Sequence, residues 1–458
     1  MAIHGDTGSS AAHWTSRVAF LLASVGFAVG LGNIWRFPYV TGENGGAAFV
    51  LVYLVCVFAI GVPILMAELF IGRRGGSSPA ASMQSVAAAS GRSRRWGWVG
   101  SANLLAAFSI MVAYSVVSGW VLSYLLRALM TGFVGVDATA SQSAFNDLLA
   151  GPWQMLSWTL LALLLTGAII YAGVQKGIER AVKVLMPSLF ALMLLLVGYN
   201  IVVGGFAEAV DYLFTPDFSK IDASTGLAAV GQAFFSMSLG VGTMLVYGSY
   251  IRADENLPTV GALVTLTDTS VAFLAGLLVL PAMFVAQNLG VSIYAESGNL
   301  IAGPDLIFQV LPALFEGMGA TGVFVGLAFF VLMSIAAVTS SISMLEVPVS
   351  YAVEAHQINR RKATGFVGLL VFAVSATICF NFESLFGFVI TLTTERAQPL
   401  LSLMLCLFAG WIFYRNSILE ELKRGSPEVE QGLFWSIWPL YVKLFCPALI
   451  LLTFAQGL

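Results

Sequence analysis

Charge is what this chain lacks most. Asp, Glu, Lys and Arg make up only 10% of its 458 residues, against 58% hydrophobic residues, and the mean hydropathy is +0.89. So little charge cannot cover a water-exposed surface, which excludes a soluble globular protein. Cysteine is scarce as well: Cys56, Cys379, Cys406 and Cys446 each lie in or beside an apolar segment. They have neither pairing nor metal-ligand spacing, so buried free thiols are expected rather than a disulfide or zinc framework. The three histidines, His4, His13 and His356, are scattered near the ends of apolar runs with no metal or nucleophile motif around them. That argues against an intramembrane enzyme. A net charge of -3 suggests no nucleic-acid partner.

What is present in abundance is apolar sequence in stretches of about 18–30 residues, the length a helix needs to cross about 30 Å of hydrocarbon. Barrel strands of about 10 residues are excluded. The approximate spans are 17–40, 47–72, 98–131, 153–173, 183–204, 227–252, 258–287, 320–355, 363–381, 384–414 and 433–456. The sequence therefore reads as an all-α integral membrane protein of about eleven helices. The run after Arg17 is too long and wrongly flanked for a cleaved signal peptide, so it reads as the first permanent span.

With the N-terminus in the cytoplasm, the inside connections hold Arg73, Arg74, Arg92, Arg94, Arg95, Lys176, Arg180, Arg252, Arg360, Arg361, Lys362, Arg415, Lys423 and Arg424. The outside ones hold little beyond Lys220 and carry Asp137, Asp147, Asp211, Asp217, Asp222, Glu296, Asp305 and Glu316. The positive-inside rule fixes that orientation in the inner (plasma) membrane, and an odd span count puts the C-terminus outside.

Residues 26–38, GFAVGLGNIWRFP, interrupt span 1 with three glycines and an asparagine. The sixth span repeats the peculiarity in FFSMSLGVG at 234–242. A membrane helix tolerates such a break only if the freed backbone groups find partners, because each orphan costs roughly 2–7 kcal/mol. Two broken helices five spans apart fit an inverted repeat, since five is odd and the second set sits upside down around a midplane site. The expected divisions are a cytoplasmic segment at 1–16, repeats at 17–204 and 227–414, and a cytoplasmic connection with the eleventh helix at 415–458.

A hard cation wants several oxygens. Span 1 offers the carbonyls around Gly26, Ala28 and Val29 with the Asn33 amide, and span 7 a lone carboxylate, Asp268. In span 8, Ala336, Thr339 and Ser340 fall at i, i+3 and i+4 and share a helical face. Each has a plainer reading. Membrane glycines usually serve packing, Ser and Thr hydroxyls usually bond back to their own helix, and Tyr114 alone would be core. Intramembrane acids are costly and functional by default, so Asp268 and Glu68 read as functional.

These residues resemble the neurotransmitter:sodium symporter family, specifically its bacterial amino-acid transporters with the leucine-transporter fold. The likeness rests on HWTSR at 13–17, GFAVGLGNIWRFPYVTGENGGAAF at 26–49, PILMAELFIGRRGG at 63–76, GQAFFSMSLGVG at 231–242, SYIR at 249–252 and VTSSISMLE at 338–346. The resemblance implies one sodium site from the Ala28 carbonyl, Asn33, Ser236 and Asp268, completed by the substrate carboxylate. A second would use the Gly26, Val29 and Ala336 carbonyls with Thr339 and Ser340, tying span 1 to span 8. The substrate carboxylate would lie on the Leu31 and Gly32 amides and the Tyr114 hydroxyl, its ammonium on carbonyls near Ala28, Phe235 and Ser238, with Gly30 and Ser236 also among the substrate contacts.

Gly30 occupies the position where monoamine members of the family carry an aspartate, so an amine lacking a carboxylate is a poor candidate. Ile110, Phe235, Val241, Ser340 and Met344 would supply side-chain contacts, which suits a hydrophobic amino acid. Val241 replaces an often bulkier residue and leaves room for aromatic side chains. Asp268 would supply the negative charge that animal relatives take from chloride, so no chloride requirement is expected.

Arg36 and Phe235 match the outer gate, with Glu383 and Glu395 both open as the acid partner in span 10. At the inner face Trp14 and Glu354 match, while the usual N-terminal arginine is replaced around Ala11 or Ala12, with Arg17 nearby. The function implied is sodium-coupled import of hydrophobic L-amino acids by alternating access in a lipid bilayer. A proton-coupled transporter of the same fold is the alternative, and a channel a remoter one.

Overall fold

A computed structural model of the chain describes residues 14–288 and 303–456. His4, Ala11, Ala12, His13 and Glu296 lie outside the described residues. Among the described residues the structure is helical, with no strand.

Eight helices are long and apolar enough to cross a membrane: Ala47–Gly75, Arg94–Thr131, Pro152–Tyr171, Val174–Val203, Leu257–Val285, Ala320–His356, Arg360–Phe380 and Leu433–Phe454. Phe382–Ile412 adds a ninth before the chain folds back by 98° into Arg415–Gly425. The bent pair Arg17–Ala28 and Gly32–Glu43 brings the described residues to ten spans by length and composition, and the broken helix at 223–249 is too interrupted to pass that measure, which is compatible with the expected eleven.

The first break has a local cause. Ser16 caps the first half-helix by accepting from the Ala19 N–H at 3.1 Å. The helix runs to Ala28, where Val29 turns extended at φ -77° and ψ 92°. Gly30 then restarts it, its carbonyl accepting the Asn33 and Ile34 N–H groups at 3.2 and 3.3 Å. The second half, Gly32–Glu43, is bent by 49° from the first.

Span 6 breaks more widely. Its first half, Ala223–Ser236, opens with a capping box between Asp222 and Thr225. The Ser224 hydroxyl, then the Thr225 N–H and hydroxyl, hold the exposed Asp222 carboxyl down to about 2. After Ser236 the chain takes positive φ at Ser238, Gly240 and Gly242, 48°, 75° and 82°, a conformation that cannot propagate a right-handed helix. The second half is Thr243–Ser249.

Span 5 begins at Val174 rather than near residue 183. Its first turns carry Lys176, Glu179 and Arg180, charges that resemble a loop. Glu179 is nevertheless buried and satisfied by Thr15 and by Lys183 Nζ at 2.6 Å, so the helix continues through it. Span 6 starts at Ala223, four residues earlier than its apolar run, because the capping box lies outside that run.

Span 8 is the central column, packed against spans 1, 3, 4, 5 and 9. Span 7 packs against spans 1, 2 and 5. Close approach depends on missing side chains: a Cβ at Gly119 of span 3 would stand 2.8 Å from the Thr159 nitrogen of span 4, and one at Gly72 would overlap the Leu245 backbone of span 6. Leu161, Leu164, Leu194, Leu195, Leu369 and Leu451 are exposed on the outer spans, forming the lipid-facing surface. All four cysteines are free and buried, with the Cys406 and Cys446 sulfurs 3.5 Å apart.

Candidate functional site

The two breaks and span 7 converge on a buried cluster of oxygens. The Asn33 side-chain amide donates to Ser236 Oγ at 3.0 Å, to Asp268 Oδ1 at 2.8 Å and to the Asp268 carbonyl at 3.2 Å. Ser236 in turn donates to Asp268 Oδ2 at 2.9 Å. Asn33 Oδ1 accepts from the Gly30 N–H at 3.4 Å. All three side chains are buried, and Ala28 ends the first half-helix. Tyr53 of span 2, not anticipated, adds its hydroxyl at 3.4 Å from Ser236 Oγ. Carboxylate, amide and hydroxyl oxygens gathered from four spans are a hard-cation donor set, and an unpaired buried carboxylate gives it a compensating charge.

A second group lies where span 8 crosses the first break. Thr339 Oγ1 donates to the carbonyls of Ile335 and Ala336 at 3.0 and 3.1 Å, and Ser340 Oγ to the Phe27 carbonyl at 3.4 Å. A Cβ at Gly26 would stand 3.5 Å from Thr339 Cβ, so Gly26 faces that hydroxyl-bearing stretch directly. Val29, the extended residue of the break, and Ala336 are both fully buried.

Between the breaks lies a cavity of about 260 Å³, near the lower end of the small-molecule range of roughly 300–1,000 Å³. Its lining includes Ala28, Gly30, Leu31, Gly32, Ile110, Tyr114, Phe235, Ser238, Val241, Ser340 and Met344, every expected substrate contact except Ser236. Ser236 faces Asp268 instead. The Leu31 N–H points at the Tyr114 hydroxyl, 3.5 Å away. A Cβ at Gly30 would overlap the Ser340 hydroxyl and stand 3.4 Å from Tyr114 Oη. At Gly32 it would stand 2.7 Å from the Phe235 ring. These glycines keep the backbone open to the cavity.

At one end of the cavity the Arg36 guanidinium lies over the Phe235 ring, 4.6 Å from its centroid, and donates to the Gly231 carbonyl at 3.5 Å. Glu395 lines the same cavity and Glu383 does not. Trp14, at the opposite face, is buried with its indole N–H on the Tyr247 carbonyl at 3.4 Å and its backbone N–H on the Tyr250 carbonyl at 3.2 Å. Glu354 accepts from the Ser78 N–H at 2.6 Å. Arg17 approaches Glu255 at 3.7 Å.

Three further partnerships escaped the sequence. Gly240, inside the second break, donates its N–H to Glu68 Oε1 at 2.8 Å, and its carbonyl accepts from the Asn103 amide at 2.6 Å. The intramembrane acid thus fills a vacancy left by the missing helical turn. Gln232 donates to the Gly32 carbonyl at 3.3 Å and does likewise for the first break. Glu346, fully buried in span 8, binds the Arg360 guanidinium and accepts from the Tyr250 hydroxyl at 2.9 Å. A lone asparagine or acid in an apolar span is the signal that could have found Asn103 and Glu346.

Two broken helices facing each other across a cavity, with buried polar side chains gathered at both breaks, define a multi-pass membrane transporter of the inverted-repeat kind. The family model described as the sodium:neurotransmitter symporter family matches residues 11–142 and 143–458, and the chain belongs to that family. It is 32% identical over 455 residues to the sodium-dependent transporter YhdH of Bacillus subtilis, covering 96% of each chain. A sodium-dependent transporter of Haemophilus influenzae is 33% identical over 458 residues, 97% of this chain and 98% of the relative. The crystal structure of MhsT in complex with L-phenylalanine superposes with a TM-score of 0.86 at 37% identity, covering 98% of this chain and 100% of that one. The protein is accordingly a sodium-dependent symporter with the leucine-transporter fold, from a family of transporters rather than enzymes.

Proposed function

We propose that this symporter carries hydrophobic L-amino acids, aromatic ones included, into the cell with sodium and without chloride. The observation that carries the reading is the cavity itself: Ile110, Phe235, Val241 and Met344 give it an apolar wall, while Gly30 leaves no side-chain anion there to select a bare amine. A zwitterion can place its carboxylate at the Leu31 and Gly32 amides and the Tyr114 hydroxyl, where the positive end of a half-helix favours it. The bound ligand of MhsT, L-phenylalanine, is of that chemical class.

Asn33, Ser236, Asp268 and the Ala28 carbonyl are the first sodium site in this reading. Gly26, Val29, Ala336, Thr339 and Ser340 are the second. Asp268 supplies the negative charge that makes an external anion unnecessary. One positive charge moving through 100 mV yields about 2.3 kcal/mol, so one or two sodium ions suffice for steep accumulation of a zwitterion. Arg36 with Phe235, and Glu395 as the acid, form the outer gate; Trp14 and Glu354 belong to the inner one. The arginine-rich end faces the cytoplasm.

Uptake of a panel of labelled amino acids into proteoliposomes tests the substrate and the ion together. Leucine, tryptophan and tyrosine should outcompete alanine, glycine and GABA, replacement of sodium by choline at fixed pH should abolish uptake, and replacement of chloride by gluconate should leave it intact. Preference for glycine or GABA would defeat the pocket assignment.

A further inference from the structure

We propose that the groove between spans 4 and 9, at the arginine-rich end of the bundle, binds the phosphate headgroup of an anionic phospholipid. Span 4 ends at Tyr171, and Gly173, at φ 96°, turns the chain sharply into span 5. Span 9 begins beside this turn, with Asn359 accepting from the Lys362 N–H at 2.9 Å. The two connections enclose an open cleft lined by Tyr171, Gly173, Lys176, Asn359, Arg360 and Arg361.

The charges of this cleft are unbalanced. Arg360 is committed, since it donates to the Ile170 carbonyl at 2.9 Å and pairs with Glu346. Lys176 and Arg361 are exposed, and neither forms an ion pair among the described residues. The Arg361 guanidinium lies over the Tyr171 ring, 5.0 Å from its centroid, which holds one cation in place across the two spans. No acid lines the cleft. The acid one turn beyond Lys176, Glu179, is taken by Thr15 and Lys183.

Away from this headgroup position both spans present exposed apolar side chains. Leu164 is 60% exposed and lies seven residues before Tyr171, on the same helical face. Leu369 of span 9 is 67% exposed. Gly365, one turn after Arg361, is exposed and would have no neighbour within 4 Å of a Cβ, so span 9 leaves open space there for an acyl chain. A basic cleft beside an exposed apolar surface fits a molecule with a phosphate at one end and acyl chains at the other. Basic pockets between helices at this membrane face are where such headgroups bind.

The test uses native mass spectrometry of the detergent-purified full chain with dioleoyl phosphatidylglycerol, dioleoyl phosphatidylcholine and inorganic phosphate. Phosphatidylglycerol adducts should persist where phosphatidylcholine is lost. Each cation removed should weaken them about fivefold, so K176Q/R361Q should weaken them roughly 25-fold, while the charge-keeping K176R/R361K retains them. The single variants carry the test if the double one does not fold. Unchanged phosphatidylglycerol affinity in K176Q/R361Q, or equal affinity for phosphatidylcholine, would overturn the proposal. Displacement of the lipid by equimolar inorganic phosphate would identify a free-anion site and overturn it too.

Discussion

Asn33 and Asp268 are 235 residues apart in sequence and 2.8 Å apart in space, joined by a side-chain hydrogen bond in a fully buried setting. The bond ties the restart of the first broken helix to the middle of span 7. Ser236, the last helical residue before the second break, donates to the other carboxylate oxygen at 2.9 Å. One carboxylate therefore holds both discontinuities, and any ion binding there acts on both at once. A ligand shifts a conformational equilibrium only by its differential affinity for the two states, and a site built from both movable breaks is positioned to have one.

The charge of Asp268 should consequently be separable from its shape. Asp268→Asn keeps the volume and a hydrogen-bonding group but removes the anion. Sodium-driven uptake in chloride-free proteoliposomes should fall at least about tenfold, a loss of about 1.4 kcal/mol in ion coupling, and added chloride should recover part of it. Wild-type uptake should be indifferent to chloride. Asparagine transporting as well as aspartate in gluconate buffer would remove Asp268 from the ion site.

Thr339 allows a similar separation of packing from coordination. Its hydroxyl gives its proton to the Ile335 and Ala336 carbonyls, which leaves the oxygen lone pairs directed outward and available to a cation. Back-bonding and ion binding are thus compatible, whereas the bland reading has back-bonding alone. Thr339→Val should raise the half-saturating sodium concentration about tenfold at unchanged melting temperature, with Thr339→Ser close to wild type. Sodium titrations of uptake that superpose for valine and threonine would leave only the packing role.

Much of this architecture was legible because the membrane makes polarity expensive. Glycines in mid-span marked both breaks, and Asn33, Ser236 and Asp268 stood out as polar residues in apolar runs. Pairings were not legible. Glu68 read as functional without a partner in view, and its Oε1 accepts the Gly240 N–H freed by the second break, a contact across 172 residues that no local pattern encodes. The start of span 5 was obscured by Glu179 for the same reason, since its partner Thr15 lies 164 residues away. Glu383 and Glu395 were equivalent in sequence and differ only in which one reaches the Arg36 cavity.

Val241 should control the size of side chain accepted. It is buried at the cavity wall, in a lining that also includes Ile110 and Met344. Adding one methylene in a hydrophobic pocket discriminates by about 1–3 kcal/mol, or 10–200-fold. Val241→Leu should lower kcat/KM for tryptophan at least about tenfold relative to that for alanine, read from parallel uptake kinetics. A ratio that does not move would place the side-chain pocket elsewhere.

The pair of Glu346 and Arg360 calls for a different kind of variant, because both charges were taken out of water together. Glu346 is fully buried, and besides the guanidinium only the Tyr250 hydroxyl satisfies it among the described residues. Removing one partner of such a pair costs about 3–5 kcal/mol, largely as the penalty on the charge left behind, whereas replacing both is often nearly neutral. Arg360→Ala should therefore lower the melting temperature of the purified protein sharply, and adding Glu346→Gln to it should restore most of the loss, since the neutral amide can still accept from Tyr250. A double variant as unstable as Arg360→Ala alone would mean that Arg360 stabilises the end of the bundle mainly through the Ile170 carbonyl, to which it donates at 2.9 Å, and not through the charge it neutralises.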